Sequence, residues 1–136
     1  EYAGVDVLHS PLKKKPDGTF ELDYENFEQQ CANPQCKMVF WCNPQNPTGR
    51  MWTEEELRRI AGIVEKYNLW IVSDEIHCDL IRCGRKHIPM AKVMTDYPKL
   101  ITCMAPSKTF NLAGLAFSGS ASKNAISCSA WSTPCL

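Results

Sequence analysis

An amine, a carboxylate and an amide recur along this chain at positions where an open α/β sheet would bring them together. Lys108 lies in Ala105-Pro106-Ser107-Lys108-Thr109-Phe110-Asn111, Asp74 in Ser73-Asp74-Glu75-Ile76-His77, and Asn46 in Asn43-Pro44-Gln45-Asn46-Pro47-Thr48-Gly49. Each segment follows an apolar stretch of strand character, and ligands of such sheets bind in the crevice outside the carboxyl ends of the strands. A lysine amine forms a Schiff base with an aldehyde, and a carboxylate holds a pyridine nitrogen protonated through a charge-assisted hydrogen bond. Pyridoxal 5'-phosphate uses both groups, so it is the cofactor this set of residues suits.

Each residue also has a plainer reading. Lys108 alone would pass for a surface lysine; as an anchor it needs partial burial or nearby positive charge, which lowers its pKa and frees the amine. Asp74 alone would be a strand-end cap; in the functional reading it is a buried carboxylate facing the ring nitrogen. Asn46 reads equally as a turn former and as a donor to the ring's phenolate oxygen. His77 reads as a second donor to that oxygen or as a packing histidine, while Glu75 points elsewhere and is structural. The hydroxyls of Ser107 and Thr109 are candidate donors to a phosphate. His9 and His87 have no partner in view.

The elements that must position these residues follow from pattern. Val5–Leu8 is a short strand candidate, followed by turn chemistry at Pro16-Asp17-Gly18. Asp23 can cap a helix on which Tyr24, Phe27 and Cys31 recur at helical spacing. The continuous apolar run Met38-Val39-Phe40-Trp41-Cys42 predicts a strand covered on both faces. Thr53 and Glu56 form a capping box, and Leu57, Ile60, Val64 and Tyr67 make a stripe facing the sheet. Leu69–Val72 and Leu100–Met104 read as further strands, 88–93 as a weak helix, and Lys108 as part of a loop. The strand–helix–strand unit over 38–73 predicts parallel pairing. From Ser118 onward no apolar strand pattern is found.

With 136 residues, 44% of them hydrophobic and 22% charged, the chain has room for one globular domain or part of one. Fifteen basic residues balance fifteen acidic ones, which points to neither nucleic acid nor an anionic membrane as a partner. Lys13-Lys14-Lys15 reads as a solvated loop, and no apolar stretch reaches membrane-spanning length. The eight cysteines include no C-x-x-C pair. They read as reduced small hydrophobes rather than metal ligands, which suits a reducing cytoplasm.

Taken together, these segments resemble the fold-type I, class I/II aminotransferase superfamily of pyridoxal-phosphate enzymes. The order asparagine, aspartate, lysine, with gaps of 28 and 34 residues, matches that superfamily. Within it, Cys42–Arg50, Ser73–Asp79 and Ala105–Asn111 look most like the cystathionine β-lyase branch. His77 favours that branch, because many aminotransferases carry a tyrosine at the matching place. Ala116 departs from the pattern, since many members have a phosphate-gripping arginine there.

The resemblance implies an α/β fold: residues 1–118 as part of the large cofactor-binding domain, a mostly parallel sheet flanked by helices. Residues 119–136 form a tail that departs from the family and reads as a gene-model or reading-frame artefact. It further implies cofactor binding by Asn46, Asp74, His77, Ser107 and Lys108, with Lys108 as the catalytic residue, no metal, and a homodimer in the full-length protein. The expected reaction is carbon–sulfur β-elimination on a sulfur-containing amino acid such as cystathionine or a cysteine S-conjugate. Its rivals are transamination and a non-catalytic or regulatory pyridoxal-phosphate-binding domain, and the fragment alone is expected to be inactive.

Overall fold

The computed structural model describes residues 4–82, 84–112, 114 and 118–122. The chain opens with a hairpin of β1 (Leu12–Lys14) and β2 (Phe20–Leu22), paired antiparallel. The turn chemistry at Pro16-Asp17-Gly18 closes it: Lys15 N donates to Thr19 O at 2.7 Å, and Asp17 Oδ1 accepts both the amide and the hydroxyl of Thr19. The strand therefore lies nearer the turn than the sequence pattern predicts. Val5 and Val7, 66% and 69% exposed, pair with no strand among the described residues. Lys13 and Lys14 sit on β1 rather than in a loop, and Lys13 pairs with Asp23 at 2.7 Å.

A second sheet has the order β3 (Met38–Cys42), β4 (Trp70–Asp74), β5 (Leu100–Met104) and β6 (Gly119–Ser122). The first three strands are parallel, and β6 joins antiparallel to β5. The strand β6 was not foreseen, because Gly-Ser-Ala-Ser has no apolar alternation. An edge strand needs only its backbone ladder, and three of these four residues are exposed. Residues 123–136 lie outside the described residues.

Helix α1 (Tyr24–Cys31) starts where predicted, with Asp23 Oδ1 accepting the Asn26 amide. Helix α2 (Glu54–Lys66) carries the expected capping box: Thr53 Oγ1 accepts from Glu56 N and Glu56 accepts from Thr53 N. Leu57, Ile60 and Val64 are fully buried and share one core with Val39, Trp41, Ile71 and Leu100. Burial of each such side chain contributes about 1.5–3 kcal/mol. Two short helices follow, α3 (Met90–Val93) and α4 (Pro106–Thr109), so Lys108 sits in a single helical turn rather than a loop. Pro106 suits the start of that turn, where its missing N–H is no loss.

Among the described residues one face of the sheet is packed and the other is largely exposed. Successive side chains alternate across a sheet, and α1 and α2 pack on the face of Val39, Trp41 and Ile71. The opposite face carries Met38 and Phe40, 42% and 80% exposed.

Candidate functional site

The site is built where β3, β4 and β5 end. Asp74 is the last residue of β4, in register with Cys42 on one side and Cys103 on the other. Register partners in a sheet share a face, so the two thiols flank the carboxylate. The backbone is clamped at the same point: Asn43 N donates to Asp74 O, and Glu75 N to Cys103 O, both at 2.9 Å. The Asp74 carboxylate is exposed and accepts the Ile76 amide at 3.1 Å. This corrects the expectation of a buried carboxylate, because the buried neighbours are Ser73 and Glu75, which alternation sends to the other face.

From β3 the chain turns over Cys42 into the asparagine segment. Asn46 N donates to Cys42 Sγ at 3.3 Å, bringing the segment back beside Asp74. The Asn43–Pro44 and Asn46–Pro47 peptides are cis. Gln45 pairs with Arg50 across the turn, and Gln45 Oε1 accepts the Thr48 hydroxyl. Trp52 secures the base of the turn by donating its indole N–H to Cys42 O at 3.0 Å and packing on Trp41. Arg50 reaches three groups at once: Phe20 O, the Glu56 carboxylate and the face of Trp52. Sequence reasoning missed this hub, since Phe20 lies thirty residues away.

From β5 the chain enters α4, which carries Ser107, half-buried, and Lys108, exposed. Lys108 is thus not partly buried as expected, and α4 has no buried residue to draw it inward. Thr109 Oγ1 donates to Asp79 Oδ2 at 2.8 Å, tying this turn to the segment after β4. That bond commits the hydroxyl proton that had been assigned to a phosphate. Ala116 lies outside the described residues.

The segment after β4 brings His77 to an open groove of about 530 Å³, whose wall includes Asn46, Thr48, Met51, Arg82 and Arg85. Asp74 and Lys108 do not line this groove. His77 is half-buried, and its Nδ1 is buried without a partner among the described residues. Burial raises the Cys42 and Cys103 thiols above their ordinary range, and the charge of Asp74 raises them further. Both therefore stay protonated at neutral pH, which keeps nucleophilic thiolates away from the lysine and carboxylate. No group of three or more potential metal ligands occurs among the described residues, and the described cysteines are free.

A second carboxylate lies behind the first. Glu75 is 1% exposed and accepts from Ser73 Oγ at 3.0 Å, from Met90 N at 2.9 Å, and from His87 Nε2 at 2.6 Å. The structural reading of Glu75 agrees with this, whereas His87 does have a partner. The period-two spacing of Ser73 and Glu75 was a usable signal for their shared face; nothing in sequence pointed to His87.

Three parallel strands, each followed at its carboxyl end by one of the three polar segments, place this chain in the α/β class. Residues 1–130 match the aminotransferase class I and II family, and the chain belongs to that family. It is 42% identical over 116 residues to cystathionine beta-lyase PatB of Bacillus subtilis, spanning 85% of this chain and 30% of that protein. It superposes on the PLP-bound C-S lyase from Staphylococcus hominis with a TM-score of 0.82 and 43% identity, over 87% of this chain and 30% of that one. Kynurenine--oxoglutarate transaminase 3 of Homo sapiens is 30% identical over 119 residues, spanning 82% of this chain and 26% of that protein. The chain thus spans less than a third of the length of the relatives it matches, and its sheet matches the fold-type I architecture.

Proposed function

We propose that the full-length protein is a pyridoxal-phosphate-dependent carbon–sulfur β-lyase acting on cystathionine or a cysteine S-conjugate. The observation that carries this reading is the register Cys42–Asp74–Cys103, which converges the asparagine, aspartate and lysine segments on one sheet edge. The residues fit the cofactor: an acceptor carboxylate for the ring nitrogen, an amide donor, a primary amine, and an unpartnered ring nitrogen on His77. When bound, the cofactor supplies an aldehyde that takes an amine and a ring that accepts the electrons released at the substrate's α-carbon.

In this reading Asp74 holds a proton on the ring nitrogen, and Asn46 and His77 donate to the ring oxygen. Ser107 donates to the phosphate. Lys108 would be the covalent anchor, and its amine, when free, would take the α-proton of the substrate. The exposed position of Lys108 on a short turn gives that amine room to swing between the two tasks. Elimination then releases the β-thiolate, and water completes the products as thiol, pyruvate and ammonia. The greater identity to the named lyases than to the transaminase favours elimination over transamination.

The same reading takes residues 1–118 as part of the cofactor domain; β6 extends that domain's sheet beyond them, and the family match runs on to residue 130. It also takes the full-length protein as a homodimer and, on its half-buried free thiols, as resident in a reducing cytoplasm. Borohydride reduction of the loaded protein followed by peptide mapping tests the anchor: the label is expected on Lys108, and a label elsewhere overturns the assignment. Thiol and pyruvate formed from cystathionine without a keto acid support the lyase. Glutamate formed only with 2-oxoglutarate would replace it with a transaminase.

A further inference from the structure

Nothing in the chemistry above uses Glu75, yet its burial is the most demanding feature beside the site. A carboxylate withdrawn from water is costly unless it is fully hydrogen-bonded. Three donors meet that demand: the Ser73 hydroxyl from β4 itself, and the Met90 amide and His87 Nε2 from the 87–90 segment. We propose that Glu75, held by His87, is the positioning residue for Asp74, fixing the direction in which that exposed carboxylate points. This rests on the reading of Asp74 as the partner of the cofactor's ring nitrogen.

The geometry is that of a strand pinned from behind. Ser73 and Glu75 flank Asp74 and share the opposite face, so the end of β4 cannot turn without pulling Glu75 from its three donors. The two-sided ladder ends at Asp74 O and Glu75 N, and from there the side-chain bonds of Glu75 fix how the chain leaves the strand. Asp74 itself is exposed, so packing does not orient it. The segment that supplies His87 and Met90 also braces the neighbouring strand end, because buried Asn43 donates its Nδ2–H to Ile88 O at 2.9 Å. His87 meets Glu75 Oε2 through its Nε2 at 2.6 Å, where an Nε2–H donates to the carboxylate.

The test uses the full-length protein with His87→Leu, which deletes the donor, and His87→Gln, which restores one near the same place. Glu75→Gln is the independent variant should His87→Leu fold poorly. His87→Leu and Glu75→Gln are expected to weaken pyridoxal-phosphate binding about tenfold, the scale on which outer partners act on the groups they orient. In the cofactor-free protein the Ile76 amide, which bonds the Asp74 carboxylate, should exchange its hydrogen about tenfold faster while the core of α2 stays protected. His87→Gln should return both quantities to those of the unaltered protein. Unchanged Ile76 exchange in the two disruptive variants, a uniform loss of protection, or a His87→Gln protein no better than His87→Leu would overturn the proposal. Asp74→Asn separates the two levels: if it leaves cofactor affinity unchanged, the ring-nitrogen reading fails, whereas Ile76 exchange needs no cofactor and still decides whether Glu75 positions Asp74.

Discussion

Replacing Asp74 by Asn tests the electrostatic core of the site with little change of shape. The asparagine Oδ1 can still accept the Ile76 amide, and both backbone bonds at this point are main-chain and survive. Only the charge and one acceptor are lost. A hydrogen bond to a charged group is worth about 1.5–3 kcal/mol. The carboxylate is exposed, so solvent screening trims this to about 1–2 kcal/mol, and cofactor affinity should fall about five- to thirtyfold. Equilibrium dialysis of the full-length protein against pyridoxal phosphate measures the fall. Cys103 is an internal control, because burial chiefly and the Asp74 charge secondarily hold its thiol pKa up. Removing that charge should lower the pH at which Cys103 is alkylated while burial keeps it above a free thiol. If alkylation moves down and cofactor affinity does not change, the charge has gone without loss to the ligand, and Asp74 does not face the ring nitrogen.

Other expectations follow from the elements that carry the site. Thr53→Ala removes one half of the α2 capping box and should cost about 1 kcal/mol in urea unfolding of the cofactor-free protein; no loss would mean the box does not hold that helix. Burial raises the Glu56 pKa, but its bonds to Arg50 and Thr53 outweigh this and leave it below 4.5. The stability it contributes is therefore present above pH 4.5 and lost as pH falls through the lower folded value. Glu56→Gln should flatten that part of the acid-unfolding curve, and an unchanged curve would refute the sign. Trp52→Phe keeps an aromatic ring against Trp41 but drops the part-buried bond to Cys42 O, at a cost of about 0.5–1.5 kcal/mol; cofactor affinity should fall with it, since the asparagine segment springs from that carbonyl.

Whatever depends on neighbours in the chain was legible beforehand. Asp23 and Thr53 cap α1 and α2 through amides three residues on, so a local pattern suffices to place both helix starts. The apolar runs at 38–42, 69–72 and 100–104 became β3, β4 and β5, the short apolar-run signature of strands. The three polar segments that follow them leave the same end of the sheet once the strands are parallel.

What the pattern could not supply depends on bonds between distant residues. The hairpin settled at 12–22 rather than at Val5–Leu8 because Lys15 and Thr19 close its turn. The edge strand β6 is held by main-chain ladder bonds, to which side-chain pattern is blind. Arg50 joins Phe20 to Glu56, and His87 joins Glu75 from twelve residues away, both by side-chain reach in three dimensions. Sequence alone determined which residues could do chemistry and that their segments follow the ends of parallel strands. Tertiary structure decided which carboxylate is exposed and which is buried, because only the packing of one sheet face against α1 and α2 makes the two sides of β4 unequal.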